Sequence, residues 1–113
     1  MARELTPQMT QYAARWLRAL GEENRIRLLL RLKQDPANVT TLARELGLSH
    51  ASTSKHLNVL AANGIVEARR EGPAHVYAIA DNSVFDICDI VCSGVRRHHE
   101  RLGAALAPEA EEA

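Results

Sequence analysis

The side chains best suited to chemistry in this sequence are two cysteines and a histidine near its C-terminal end. Cys88 and Cys92 stand four residues apart, and His99 follows seven residues later. At about 100° per residue of α-helix, all three lie along one stripe. Neighbouring thiolates suit arsenite, As(III), or a soft metal ion. Thiols also respond to oxidants and sulfur species, and buried cysteines often act as small hydrophobic residues, so three interpretations stay open.

Length and composition predict one compact domain. A chain of 113 residues is short of what an enzyme usually needs for a walled active site. Basic and acidic residues balance at 14 each, but 11 basic and 7 acidic residues precede His75, which weakly favours a polyanion partner. No apolar run has signal-peptide or membrane-span length, and two cysteines do not make a disulfide scaffold. We therefore expect a cytoplasmic protein with no membrane partner.

Helical periodicity begins near the N-terminus. Residues 6–20 carry apolar side chains at helical spacing, with Pro7 near the start and Gly21 after the end. A second helix is predicted through residues 22–34. Its inward side is predicted to hold Ile26, Leu29 and Leu30. Its basic side chains are predicted to form a solvated face: Arg25, Arg27, Arg31 and Lys33.

The stretch "NVTTLARELGLSHASTSKHLNVLAANGIV" predicts two short helices joined by a tight turn. Thr40 can cap the first helix, Gly47 supplies the turn, and Ser49 can cap a second helix over residues 50–63. The residues of the second helix that face inward are Thr53, Leu57 and Leu60. Two short helices joined by a glycine-containing turn of three or four residues form a helix-turn-helix.

Polar side chains dominate the outward side of the second of these helices. An α-helix fits the major groove of DNA, where its N-terminal, outward residues reach base edges, and helix N-termini can approach phosphates. Hydroxyl, lysine and histidine side chains serve both base readout and phosphate contact. The candidates on the two helices are Thr40, Ser49, His50, Ser52, Thr53, Ser54, Lys55 and His56. For His56, beside Leu57, local capping or partial burial is the alternative to base contact.

A β-hairpin is predicted after the helix-turn-helix. The runs "IVEARREG" and "HVYAIA" show apolar alternation on either side of the turn at residues 71–74. Arg69, Arg70 and His75 suit a wing that lies along the DNA backbone or minor groove. A solvated basic turn is the alternative interpretation of these three residues.

Apolar residues at both ends of the chain predict a dimer surface. A last helix is expected from near Asp81, with Ser83 close by, and its apolar stripe runs from Val84 to Leu102. The first helix adds Trp16, Leu17 and Leu20. This is too much apolar area for a monomer of this size to expose. Two modules paired across a dyad also join two DNA half-sites, so we expect a homodimer.

The predicted order of helix, helix, helix-turn-helix, hairpin and helix is a mainly α winged helix-turn-helix with a small β-hairpin wing. "ALGEENRIRLLLRL", "TTLARELGLSHASTSKHLNVLAANGIVEARREGPAHVYAIAD" and the closing helix resemble the ArsR/SmtB family of bacterial repressors over about residues 10–102. The most specific part runs from Leu42 through Tyr77. The resemblance implies a dimer formed by the first and last helices. We expect one DNA-binding and dimerisation domain over residues 1–107 and a disordered acidic tail at 108–113.

The resemblance bears on the cysteines without deciding between the three interpretations. Family members that sense zinc-like ions in the last helix carry Asp-x-His, ten residues, and then His-x-x-Glu or His. Here Asp86-Ile87-Cys88 is followed by ten residues and His99, but Leu102 takes the fourth place. An apolar residue in place of a ligand disfavours a tetrahedral zinc site of that type. The segment "VTTLARE" also lacks the cysteines that arsenic-sensing members keep there.

The sequence thus predicts a homodimeric repressor of a bacterial stress or metal-resistance operon, bound to a double-stranded DNA operator and requiring no cofactor. As(III) or a soft metal ion, or a thiol-reactive species, would be the inducer, acting through Cys88 and Cys92. The alternatives are a repressor with no thiol ligand and a winged-helix module that binds a protein instead of DNA. An exposed face of Ser, Thr, Lys and His favours DNA, because protein partners need apolar anchors. Catalysis is not expected, since Cys88 and His99 stand about three turns apart.

Overall fold

The computed structural model describes residues 5–102, which form five helices and three strands. In chain order these are α1 (Pro7–Leu20), α2 (Glu23–Leu32), β1 (Ala37–Asn38), α3 (Val39–Leu46), α4 (His50–Ala62), β2 (Val66–Glu71), β3 (Ala74–Ile79) and α5 (Val84–Arg101). The chain divides into two compact units, at residues 1–81 and 82–113. The single domain over residues 1–107 stays a prediction, and the acidic tail lies outside the described residues.

The first helix has the ends that the sequence predicts. Thr6 is the N-cap of α1, and its side chain accepts a hydrogen bond from the backbone N–H of Met9. Pro7 follows in the first turn, where its missing N–H costs no hydrogen bond. Gly21 is the C-cap. Only Ala19 and Leu20 of this helix are buried, so the prediction that Leu20 is exposed for a partner was wrong.

The buried face of α2 differs from the predicted one. The inward residues are Leu28, Leu29 and Leu32, whereas Ile26 and Leu30 are 38% and 49% exposed. The segment carries five apolar residues, so two overlapping stripes have helical spacing, and Leu29 belongs to both. The helix is therefore rotated by about one residue from the predicted orientation.

The prediction of a solvated basic face on α2 was wrong for all three of its arginines, whereas Lys33 is exposed. Arg25 and Arg27 are half-buried, and each donates to a backbone carbonyl of a neighbouring helix, Ala19 and Leu46 respectively. The guanidinium of Arg31 bonds to Glu45 of α3 at 2.6 Å and to Asp35 at 2.9 Å. The hydrogen bond to Glu45 is the main cause that raises the pKa of Arg31. These contacts hold α2 against α1 and α3.

The predicted hairpin is present, within a sheet of three strands. β2 and β3 pair antiparallel, and the register places Glu71 opposite Ala74. Two residues therefore connect them, and Gly72 has φ 64°, a positive value of the kind that tight hairpin turns use. The short β1, which the sequence analysis missed, pairs with the other side of β3, so the strand order is β1-β3-β2. This pairing holds the start of α3 against the wing.

The core of the first unit lies between α2, α3, α4 and the sheet. Its fully buried large side chains are Leu28, Leu29, Leu42, Leu57, Leu60 and Ile65. Aliphatic residues dominate because the chain has few aromatic ones. This packing fixes the orientation of α4 relative to α2, α3 and the sheet.

The second unit contains α5, which begins at Val84, after Ser83 and not nearer Asp81. Val84 and Phe85 are its buried residues. Val84, the first residue of the predicted interface stripe, is therefore not exposed for a partner. Farther along, Ile90, Val91 and other apolar side chains are exposed. Within residues 5–102, no helix has both the length and the apolar character needed to span a membrane.

Candidate DNA-binding surface

The first helix of the helix-turn-helix is capped by Asn38, not by Thr40. The Asn38 side chain accepts from the N–H of Thr41 at 2.8 Å. Thr40 lies inside the first turn of α3, where its side chain is exposed. Asn38 has the extended backbone that ends β1 and also the geometry of an N-cap, so one residue serves both elements.

The turn and the start of α4 follow the prediction. Gly47 has φ 69°, a left-handed conformation that glycine adopts without a steric penalty. The side chain of Ser49 caps α4 by accepting from the N–H of Ser52 at 3.0 Å. α4 is therefore set at a defined position relative to α3.

The inward side of α4 matches the prediction. Thr53, Leu57 and Leu60 are each 0% exposed. The hydroxyl of Thr53 donates to the carbonyl of Ser49 at 2.8 Å. Thr53 was also named as a candidate DNA contact, but its side chain is fully buried and bonded to its own helix, which favours a structural role over contact with a duplex.

The outward side of α4 holds the remaining candidates except His56. His50 and Lys55 are exposed, and Ser52 and Ser54 are half-buried. The exposed stripe also includes Ala51 and Asn58, which the sequence analysis did not single out. The spacing of residues 51, 55 and 58 is that of one helical face, and this signal was available from the sequence.

His56 is part of the protein's own hydrogen-bond network. Its side chain is 14% exposed, and its Nδ1 lies 3.2 Å from Nη1 of Arg25. Its Nε2 lies 3.9 Å from Oε1 of Glu22. The structure therefore supports the alternative of partial burial for His56 over base contact.

The wing presents a mixture of charges. Arg69, Arg70 and His75 are all exposed. Arg69 pairs with Glu67 on its own strand at 3.4 Å. Arg70 stands opposite His75 across the hairpin, and the two side chains approach to 3.4 Å. Since Glu67 neutralises part of the charge, Arg70 and His75 make the more favourable side for a phosphate.

Thiol and imidazole groups occur together only on α5 in the described part of the chain. Cys88 and His99 are half-buried and Cys92 is exposed, and neither cysteine forms a disulfide. His98 and His99 form an edge-to-face ring pair. Among residues 5–102, no three or more His, Cys, Asp and Glu side chains are grouped so as to hold a metal ion. The described residues of one chain therefore do not by themselves form a complete tetrahedral site.

Comparison with known proteins identifies the class of protein to which this chain belongs. A family model for a helix-turn-helix domain matches residues 20–69. The chain is 33% identical over 85 residues to the HTH-type transcriptional regulator NmtR of Mycobacterium tuberculosis, which covers 75% of this chain and 71% of that protein. It is 39% identical over 79 residues to CmtR of Mycobacterium bovis, with 69% and 67% covered.

A solved structure shows the same architecture. It is the homodimeric winged helix-turn-helix DNA-binding domain of a possible ArsR-family transcriptional regulator from Mycobacterium bovis. It matches with a TM-score of 0.73 at 30% identity, covering 87% of this chain and 93% of that one. The fold and α4 thus define a DNA-binding transcription regulator of the winged helix-turn-helix class. The chain belongs to the ArsR/SmtB family, as its sequence predicted.

Proposed function

We propose that this chain is a homodimeric repressor that inserts α4 of each protomer into the major groove of an operator. The observation that carries this proposal is the division of α4 into two sides. Its inward side is buried, and the exposed side of its N-terminal half presents only small, hydroxyl and basic groups: His50, Ala51, Ser52, Ser54 and Lys55. Such groups read base edges and phosphates, whereas a protein-binding face would need aromatic or apolar anchors.

Basic side chains beside α4 support the same orientation. Arg44 is exposed in the last turn of α3, and Lys55 is exposed on α4. Arg70 adds a guanidinium on the wing, where it lies 3.4 Å from Nε2 of His75. Groups of this kind neutralise phosphates along the duplex while α4 reads the groove between them.

A homodimer is supported by exposed apolar side chains on α1 and on α5. On α1 these are Met9, Tyr12 and Leu17, each at least half exposed. On α5 and its C-cap they are Ile90, Val91, Val95 and Leu102, between 47% and 68% exposed. Apolar side chains grouped on a helix mark an interaction surface, and a second copy places two α4 helices at a fixed spacing.

Selection from a random-sequence pool of duplexes tests the DNA-binding part of the proposal. The full chain should enrich a sequence with two half-sites related by a dyad, spaced by about one helical turn or a multiple of it. His50→Ala and Ser54→Ala should each weaken binding to the enriched duplex by about tenfold. Gln34→Ala, on an exposed residue after α2, is the control and should have no effect. Failure to enrich any sequence would refute the proposal.

Charged substitutions test the dimer. Leu17→Glu and Val95→Glu place a carboxylate in the proposed interface, and each should shift the protein to monomer in sedimentation measurements. Leu30→Glu alters an equally exposed leucine on α2 and should leave the dimer intact. A wild-type chain that sediments as a monomer at micromolar concentrations would contradict the proposed assembly.

The inducer is proposed to act on the thiols of α5. The exposed Cys92 lies one helical turn after Cys88, so both thiols are near one another on the same side of the helix. Two thiolates suit As(III) or a soft metal ion, and a partner's α5 can complete the ligand set. Release from DNA requires a coupling free energy of only about 1–3 kcal/mol between inducer binding and DNA binding.

Cysteine variants separate ligation, thiol oxidation and packing. Under ligation, Cys88→Ser and Cys92→Ser should keep operator affinity while losing release by arsenite, zinc or cadmium. Under oxidation, the same variants should lose the response to peroxide or persulfide. If both variants respond like the wild type to all five compounds, the cysteines only pack and the thiol part of the proposal is wrong.

A further inference from the structure

The guanidinium of Arg25 lies at the junction of α1, α2 and α4. Its Nε donates to the carbonyl of Ala19 at 2.7 Å, and its Nη2 donates to the carbonyl of Arg18 at 3.3 Å. Both carbonyls belong to the last turn of α1, where the helix supplies no i+4 donor; that of Arg18 also accepts from the N–H of Gly21 at 3.2 Å. Its Nη1 lies 3.2 Å from Nδ1 of His56 in α4. One planar group therefore joins the end of α1 to the helix proposed to read DNA.

The imidazole of His56 contacts Arg25 on one side and faces Glu22 on the other. Arginine is a donor only, so Nδ1 must be the acceptor in the contact with Arg25. Nε2 then carries the proton and faces Glu22, whose Oε1 is 3.9 Å away. The same Oε1 accepts from the N–H of Arg25 at 3.0 Å, which fixes Glu22 in turn. The rotation of α4 about its axis is thus tied to the connection between α1 and α2.

We propose that Arg25 is a positioning residue, which acts through His56 to set the rotation of α4 relative to α1. The inference rests on the proposed function, because it takes α4 as the DNA-reading helix. Lys55 precedes His56 directly, so a rotation that breaks the contact with Arg25 also moves the groove-facing side chains. Base contacts need a fixed geometry, and apparent affinity falls with the fraction of molecules that hold it.

This arrangement also links the dimer to the DNA. α1 carries exposed apolar residues of the proposed dimer surface, and its last carbonyls are bound by Arg25. A shift of α1 in the dimer therefore reaches α4 through a chain of hydrogen bonds that involves no residue in contact with DNA. Sequence-specific binding should depend on this link more than non-specific binding does.

Two substitutions of His56 test its role as an acceptor. The probes are the duplex enriched by the wild-type full chain and a scrambled duplex of the same composition. His56→Leu should weaken binding to the enriched duplex by about tenfold or more, the usual effect of losing a hydrogen bond to a charged group. Binding to the scrambled duplex should change by less than about twofold. His56→Asn, whose Oδ1 can replace Nδ1 as the acceptor, should restore most of the affinity.

The salt dependence of binding distinguishes positioning from an ionic contact with a phosphate. A positioning role leaves the slope of log affinity against log salt unchanged in His56→Leu, since no phosphate contact is lost. A smaller slope would show that His56 touches a phosphate, and would overturn the inference. Equal affinities of His56→Leu and the wild type for the enriched duplex would also overturn it.

A double-mutant cycle tests whether Arg25 and His56 act together. Arg25→Gln should weaken binding to the enriched duplex, and adding His56→Leu should cause little further loss. Arg31→Gln removes the same charge from an arginine that pairs with Glu45 and should leave the ratio of the two affinities unchanged. If Arg25→Gln does not fold, Arg25→Lys is used instead. Lysine keeps one donor group but lacks the planar guanidinium that bonds to several acceptors at once.

Additive losses in the cycle would overturn the inference, because they would show that Arg25 and His56 act independently. The proposed function fails separately, if the wild-type chain enriches no duplex at all. Thermal unfolding of each variant shows that the proteins compared are folded at the assay temperature.

Discussion

The salt dependence of operator binding should decrease when Lys55 is replaced by glutamine. Lys55 is exposed on α4, and among residues 5–102 no carboxylate lies within ion-pair distance of it, whereas Arg69 pairs with Glu67. Its charge is therefore available to a phosphate. Each phosphate contact contributes about 0.9 to the slope of log affinity against log salt, so two lysines per dimer contribute about 1.8. Over a fourfold rise in salt, the affinity of Lys55→Gln should fall about 12-fold less than that of the wild type.

Fluorescence anisotropy with the enriched duplex at several salt concentrations measures this slope. Lys33→Gln removes the same charge from an exposed position just after α2, outside α3, α4 and the wing, and should preserve the wild-type slope. Sedimentation confirms that both variants remain dimers. An unchanged slope in Lys55→Gln would show that α4 does not face the phosphates, and would refute the proposed orientation.

Three pairs of measurements test the packing that presents α4. Leu29→Ala should lower the free energy of unfolding by about 3 kcal/mol, because Leu29 is fully buried, whereas Leu30→Ala should cost less than about 1 kcal/mol in urea unfolding. Equal costs would contradict the observed rotation of α2. Asn38→Ala should cost about 1 kcal/mol and Thr40→Ala clearly less, since only Asn38 caps α3. Thr53→Val should cost about 1 kcal/mol while leaving the affinity for the enriched duplex unchanged, and a loss of affinity in the folded variant would place Thr53 at the duplex.

The helix-turn-helix was predictable because its determinants are local. Gly47 takes a backbone conformation that few other residues adopt, and Ser49 directly precedes the helix it caps. Thr53, Leu57 and Leu60 repeat at helical spacing within one short segment. Each signal concerns residues close in sequence, so no knowledge of the distant packing was needed.

The orientation of α2 was not predictable in the same way. Two apolar stripes compete in this helix, and periodicity gives each of them similar support. The observed stripe is favoured by contacts with distant residues, because Arg25 and Arg27 reach carbonyls at the ends of α1 and α3. Guanidinium groups can be half-buried when carbonyls accept their hydrogen bonds, but the sequence does not show where those carbonyls lie.

The N-cap of α3 was assigned to the wrong residue because the short strand β1 could not be predicted from the sequence. Asn38 and Thr40 are both good capping residues, and each precedes apolar residues of the helix. The choice between them depends on β1, because pairing with β3 gives Asn38 its extended backbone. A strand of two residues is too short to show alternation, so only the fold reveals it.

The polar residues of α4 differ in role although their types are similar. Ser49 and Thr53 hydrogen-bond within the helix, and His56 bonds to Arg25, so three polar side chains stabilise or orient the helix. The side chains on the outward side, such as Lys55, face solvent. Because a hydroxyl or imidazole can bond to the nearby protein as readily as to DNA, composition alone overestimates the contact surface. The fraction of each side chain that is exposed separates the two groups, and it follows from tertiary packing.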